Sequence, residues 1–132
     1  MSAATLSRPA GQVPTPSVDT PLRRGLDVLL EEIVPGEVLF STELRGTPRR
    51  EACTAMLDLA LAAAVQSVLT PLDTARPVSA AVIRSWPTGR PHRLEARASV
   101  VRRAGRTIMA TGAVHDDAGR LVATGRLVAR QV

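Results

Sequence analysis

From Thr47 to Gln66 the chain is apolar almost without interruption, and the run Ala52-Cys53-Thr54-Ala55-Met56-Leu57 continues through Leu59-Ala60-Leu61-Ala62-Ala63-Ala64-Val65. Its alanine and leucine content predicts one long helix. Thr47 offers an N-cap oxygen, and Pro48 falls at the first helical position, where a missing N–H costs nothing. Thr70-Pro71 is the expected stop, because proline lacks the donor and restricts the residue before it. About twenty residues make a rod roughly 30 Å long. A helix without a polar face has to be surrounded by protein or lipid. Asp58 sits in its middle, and a charge there costs several kcal/mol unless it is paired, protonated or open to a cleft, on the order of what buried unpaired ions cost in general. Asp58 is therefore either neutralised or used.

Before the helix, two apolar runs flank the turn signal Pro35-Gly36 and suggest a hairpin. The first, Leu26 to Ile33, also fits a helix, since Leu26, Leu29, Leu30 and Ile33 follow the i, i+3, i+4, i+7 spacing; periodicity leaves both readings open. The second, Val38 to Leu44, reads as a strand. After Pro77 the period becomes two, through Val78, Ala80 and Val82, then Leu94, Ala96, Ala98 and Val100, then Ile108, Ala110, Gly112 and Val114, then Leu121, Ala123, Gly125 and Leu127. Four strands follow from this, with turns at Arg103-Ala104-Gly105 and Asp116-Asp117-Ala118-Gly119, and an antiparallel meander is expected. Such a sheet wrapped around the long helix is an α+β domain, and it removes the need for a polar helix side.

A chain of 132 residues with 45% hydrophobic positions fits one domain with a real core. Residues 1–20, rich in Pro, Ser, Thr and Ala, read as a disordered tail ahead of a domain spanning 21–132. All 17 basic residues are arginine and the net charge is +5, but they are spread along the chain. Trp86 and Phe40 are the only aromatics, so platforms for base stacking are nearly absent and nucleic-acid binding is disfavoured. The single cysteine, Cys53, reads as a small buried filler in a reduced, cytoplasmic protein. Asp58 and Gln66 shorten the one long apolar run below the ~20 residues a membrane span requires. His92 and His115 lie beside turns without metal-ligand company, and His115-Asp116-Asp117 reads as turn chemistry. No metal or cofactor is expected.

Several segments, in this order and spacing, resemble the PaaI-type acyl-CoA thioesterases of the hotdog fold. They are Gly25-Leu26 leading to Pro35-Gly36, Gly46 ahead of the helix, Leu57-Asp58-Leu59-Ala60 within it, Val101-Arg102-Arg103-Ala104-Gly105-Arg106, and His115-Asp116-Asp117-Ala118-Gly119-Arg120-Leu121. The resemblance covers Gly25 to the C-terminus. It implies an antiparallel sheet wrapped around a central helix, at least a homodimer or a homotetramer, and hydrolysis of an acyl-CoA-type thioester. It also implies that Asp58 acts as base or nucleophile, that backbone amides at Arg50 or Glu51 polarise the thioester carbonyl, that Ser79 assists, and that Arg102, Arg103 and Arg106 lie near the coenzyme A nucleotide. The chain departs from the family where His-Gly-Gly is replaced by Arg49-Arg50-Glu51, and where a frequent asparagine is replaced by Glu43. Any non-proline residue still supplies an N–H, but Arg50 and Glu51 add bulk that glycine lacks. A catalytically degenerate module binding an acyl or CoA-like ligand, or a protein partner, is the alternative.

One constraint needs no family. Arg50 and Asp58 are about 12 Å apart along one helix at ~1.5 Å per residue, too far to act on one carbonyl. A shared site must draw its two halves from two chains.

Overall fold

The computed structural model describes residues 27–44, 49–84 and 92–132. The expected tail, the Thr47-Pro48 cap and the Gly25-Leu26 and Gly46 positions lie outside them. Six strands, β1 (Val28–Val34), β2 (Glu37–Glu43), β3 (Ala75–Arg84), β4 (Arg93–Ala104), β5 (Thr107–Asp116) and β6 (Leu121–Gln131), form a single antiparallel sheet, with the helix α1 (Arg49–Ser67) packed on one face.

The sheet order is β1-β2-β4-β5-β6-β3, which corrects the simple meander. Strands β4, β5 and β6 do form one, but β3 pairs with β6 and stands at the far edge, while β4 pairs with β2. Period-two patterning specifies which face a strand buries, not which neighbour it takes.

The ambiguous first run is a strand, and a bulge explains its helix-like spacing. The β1–β2 register slips between Leu30 and Glu32. Val28, Leu30 and Ile33 all pack toward the core although Leu30 and Ile33 are three apart, while Leu29 is 62% exposed. An extra unpaired residue in a strand shifts its phase by one, which imitates an i, i+3 step. The hairpin closes at Gly36, whose φ of 85° is costly for side-chain-bearing residues.

The helix ends at Ser67, ahead of the expected Thr70-Pro71 stop. The Ser67 hydroxyl donates to the Ala64 carbonyl at 2.6 Å and accepts the Gly36 N–H at 2.8 Å, so it competes with continued helix and ties the helix end to the first hairpin. Val68 and Leu69 then donate to Val65 and Gln66, a tightened last turn.

Between α1 and the sheet lie Phe40, Met56, Leu57, Leu94, Ile108, Val114 and Val122, all fully buried, with many alanines and the buried Cys53. The helix packs closely on β5 at Gly112, which pairs with Gly125 of β6. A Cβ on Gly112 would stand 2.9 Å from Leu57 Cδ1 and 3.3 Å from Leu61 Cδ2, so the absence of a side chain there sets the helix-to-sheet distance.

The other face of the sheet turns away from α1. On it, Leu39 and Ser41 of β2 are nonetheless buried. Glu32, Leu39 and Arg97 stand in one cross-strand row, and the Glu32–Arg97 pair at 3.8 Å closes over Leu39. Glu31 accepts the Ser41 hydroxyl and pairs with Arg93 at 3.0 Å, covering Ser41 in the same way.

Candidate functional site

Along α1, positions 52, 53, 56, 57, 59, 60, 61 and 63–65 are buried, whereas Arg50, Glu51 and Asp58 are exposed and Thr54, Ala55, Ala62 and Gln66 are half-buried. The helix thus has an outer stripe, Glu51-Ala55-Asp58-Ala62, at the i, i+4, i+7, i+11 spacing of one helix side. This corrects the expectation of a helix enclosed all round. The sheet of one chain covers the side toward β2, β4, β5 and β6, and Asp58 looks outward between small side chains. Its charge stays in contact with solvent in the single chain.

At the start of the same helix the first backbone N–H groups lack intrahelical acceptors and carry the positive end of the macrodipole. Arg50 and Glu51 are there, with exposed side chains. One chain brings neither of them to Asp58, since both lie on the same rod two turns away.

Ser79 is placed differently. The β3–β6 register slips between Pro77 and Ser79, leaving Val78 on a bulge with 62% exposure. Ser79 pairs with Val128, whose neighbours Leu127 and Ala129 point into the core. Directly opposed residues share a face, so the Ser79 hydroxyl lies on the sheet face remote from α1 and Asp58. Alternation without the bulge predicts the reverse phase for Val78.

The three candidate arginines of the β4–β5 hairpin separate as well. Arg103 turns toward the helix end, donating to the Val68 carbonyl at 2.8 Å and to Gln131 Oε1 at 3.2 Å. A guanidinium on the last carbonyls complements the negative helix terminus, a role that the sequence reading did not assign. Arg102 and Arg106 remain exposed beside the turn at Gly105.

At the opposite end of the sheet a cleft of about 630 Å³ opens beside β1, β2 and β4, lined by Asp27, Glu31, Ser41, Thr42, Glu43 and Arg93 among others. Thr42 Oγ1 donates to the Asp27 carbonyl at 3.0 Å, and the Leu44 N–H donates to the His92 carbonyl at 2.8 Å. Glu43, the position where the resemblance implies asparagine, closes this cleft at the end of β2, six residues before the helix begins.

Asp116 is buried and organises the β5–β6 turn, as the turn reading of His115-Asp116-Asp117 expects. Its Oδ1 accepts the N–H groups of Ala118 and Arg120 at 3.0 and 2.9 Å, and Oδ2 pairs with Arg120 Nε at 3.0 Å. Burial opposes ionisation of this carboxyl, but the two backbone donors and the Arg120 guanidinium outweigh it and hold its pKa below the ordinary value. Among the described residues no group of three or more His, Cys, Asp or Glu side chains could hold a metal ion, and no helix is long and apolar enough to cross a membrane.

No protein-family model and no curated protein sequence matches the chain. Solved structures do match it. A thioesterase family protein from Silicibacter pomeroyi superposes with a TM-score of 0.73 at 20% identity, covering 86% of this chain and 90% of that one. A mutant of the phenylacetic acid degradation protein PaaI from Thermus thermophilus superposes with a TM-score of 0.72 at 24% identity, covering 86% and 100%. AziG from S. sahachiroi gives 0.71 at 24% identity, covering 86% and 97%. The chain therefore has the hotdog fold, the fold of thioesterase-superfamily proteins with PaaI among them.

Proposed function

We propose that the protein hydrolyses an acyl-CoA-type thioester at the interface of a homodimer, with Asp58 as the reacting carboxylate. The observation that carries this reading is the position of Asp58. It is the exposed carboxylate in the middle of a largely buried helix, on an outer stripe between the small residues Ala55 and Ala62, on a fold shared with thioesterase-family proteins.

The second chain is required by geometry. The oxyanion donor must stand about 3 Å from the carbonyl oxygen, whereas the helix start and Asp58 of one chain are ~12 Å apart. Two features leave room for a partner. The β3 strand is ten residues long and hydrogen-bonded only on its β6 side, and residues Arg76 to Ala80 are exposed. Such an edge is a template for pairing. A two-fold joining β3 to β3 would carry one chain's helix start toward the other's Asp58.

In the reaction, Asp58 removes a proton from a water attacking the thioester carbonyl, giving the free acid directly, or attacks that carbon itself to form a mixed anhydride that a water then hydrolyses to the free acid and the regenerated carboxylate. An amide N–H at Arg50 or Glu51 of the partner stabilises the oxyanion, and the C–S bond breaks to release the CoA thiolate. Arg102 and Arg106 are available for the nucleotide phosphates, Arg103 being engaged at the helix end. Ser79, on the remote face, is left outside the chemistry, since a sheet continued across β3 would keep it there. A cytoplasmic location suits both CoA chemistry and a buried, unoxidised Cys53.

Removing a general base lowers turnover by roughly 10²- to 10⁴-fold. Asp58→Asn is therefore expected to lose turnover of acyl-CoA substrates by that factor while its oligomeric mass is unchanged. Undiminished rates across short, long and aromatic acyl-CoAs would sink the assignment. The exposed Arg50 and Glu51 side chains, standing where the resemblance implies glycines, favour a second reading as a non-catalytic binding module. That reading predicts thermal stabilisation by an acyl-CoA with no turnover in the native chain.

A further inference from the structure

The domain is polarised along its strands. At the end where α1 stops lie the β1–β2 and β4–β5 turns, the start of β3 and the end of β6. Arg76, Arg102, Arg103, Arg106 and Arg130 stand there against the acids Glu37 and Asp73. Arg103 is engaged with the helix end, and Asp73 accepts the Thr70 hydroxyl at 2.7 Å. Arg76, Arg102, Arg106 and Arg130 engage no acid among the described residues. Arg130 is directly opposed to Arg76 across β6 and β3, a destabilising like-charge pair that an anion from outside the chain would relieve.

Apolar side chains share this end. Leu72, in the turn after the helix, is 95% exposed, and Val101 on the β4 bulge and Val34 at the end of β1 are exposed too. Backbone hydrogen bonds hold the pieces on adjoining segments. The Val132 N–H donates to the Thr74 carbonyl at 3.0 Å and the Gln131 N–H to the Arg106 carbonyl at 2.7 Å, which brings the segments of Leu72, Arg130 and Arg106 together. The Val100 N–H donates to the Gly36 carbonyl at 2.7 Å and sets Val101 beside the first turn.

We propose that this end docks an acidic carrier protein that presents the acyl thioester on a phosphopantetheine arm. The inference rests on the thioesterase reading and names the partner of that site. Reach allows it. From Asp58 to Ser67 the helix rises ~14 Å, and the arm from sulfur to phosphorus is as long as about four residues of extended chain, ~15 Å. A phosphate held at Arg102 and Arg106 thus lies an arm's length from Asp58. Breadth and chemistry select a protein over a free nucleotide. From β4 to β3 the unpaired arginines cover three strand spacings, ~14 Å at ~4.8 Å each, which is wider than one nucleotide's phosphates and matches about nine residues of helix. A helix with an apolar row flanked by carboxylates satisfies both the guanidinium groups and Leu72, whereas a nucleotide leaves Leu72 in water. A lipid surface is disfavoured, because no aromatic anchor of the kind found at membrane interfaces stands among these residues. Hydrolysis adds water across the C–S bond, frees the acid and leaves the carrier with its thiol.

The test uses the full chain and a stand-alone acyl carrier protein bearing a butyryl-phosphopantetheine arm, with butyryl-CoA as the small-molecule control. Titration calorimetry is expected to show carrier binding that weakens steeply from low to high salt, as screening of exposed charges requires. Arg130→Glu should weaken it at least about tenfold, the equivalent of one close charge pair, and Leu72→Glu should weaken it as well, while Arg130→Lys keeps most of it. Misfolding is controlled. Arg130→Glu turns the repelling pair with Arg76 into one of opposite sign, and Leu72 stands in solvent, so melting temperature and butyryl-CoA turnover should hold in both Glu variants. Asp58→Asn should bind the carrier as the native chain does. A native chain that binds the carrier but hydrolyses neither thioester refutes the thioesterase reading and leaves the docking surface standing. Absence of carrier binding at low salt, equal binding by the native chain and Arg130→Glu, or attachment to phosphatidylglycerol vesicles in place of the carrier overturns the docking proposal.

Discussion

Gly112→Ala tests whether the helix-to-sheet distance is set by one missing methyl group. The added Cβ would stand 2.9 Å from Leu57 Cδ1, 3.3 Å from Leu61 Cδ2 and 3.3 Å from the Arg97 carbonyl oxygen. Carbon atoms in van der Waals contact prefer ~3.5–4.0 Å, so Leu57 must withdraw by at least about half an ångström. Leu57 is completely buried and has no solvent to swing into. Overpacking of this kind costs about 1–3 kcal/mol. Alanine recovers roughly 0.5–1 kcal/mol of that through reduced chain entropy, leaving a net loss centred on about 1 kcal/mol. Urea unfolding at fixed protein concentration would show it as a lower midpoint with an unchanged slope. The cause is isolated by a cycle with Leu57→Ala, which alone costs about 2–5 kcal/mol. The double variant should be more stable than the sum of its single changes by about 1 kcal/mol, since the clash vanishes when Leu57 is shortened. Strict additivity, or a Gly112→Ala protein as stable as the parent, would refute the argument.

Two further outcomes follow from the polar contacts. Arg103→Ala removes the donors to Val68 and Gln131, and a loss of about 0.5–1.5 kcal/mol, the usual net worth of such bonds, is expected in urea unfolding, with Arg102→Ala as an unaffected control. For Asp116, whose pKa is lowered in the folded chain, the sign is that of a depressed carboxylate. The stabilisation is complete above the unfolded value and disappears as pH falls through the lower folded value. The parent's thermal midpoint should therefore drop more steeply on acidification than that of Asp116→Asn, and parallel pH profiles would contradict the assignment.

Local chemistry written into single residues was legible along the chain. A long alanine- and leucine-rich run has no other stable form than helix, Pro35-Gly36 and Asp116 to Gly119 can do little but turn, and period-two runs bury one face of a strand. The order of these elements, with the segments that resemble PaaI-type proteins, was sufficient for the hotdog fold.

What required the tertiary structure were the phase and the neighbours. Bulges at Glu31 and Val78 displaced the alternation by one, turning a helix-like spacing into a strand and taking Val78 out of the core-facing phase that period two gives it. Pairing of β3 with β6 instead of β4 set which edge is open. Arg103 and Arg102, adjacent in sequence, went to opposite sides of a strand, one to the helix end and the other to solvent. Asp58 is an odd charge in the sequence, and only the packed chain shows that it faces outward. The physical reason is common to all of these. A residue's own preference is local and is read where it stands, whereas its face, partner and exposure are set by strands and helices far away in the chain, through hydrogen-bond register and close packing.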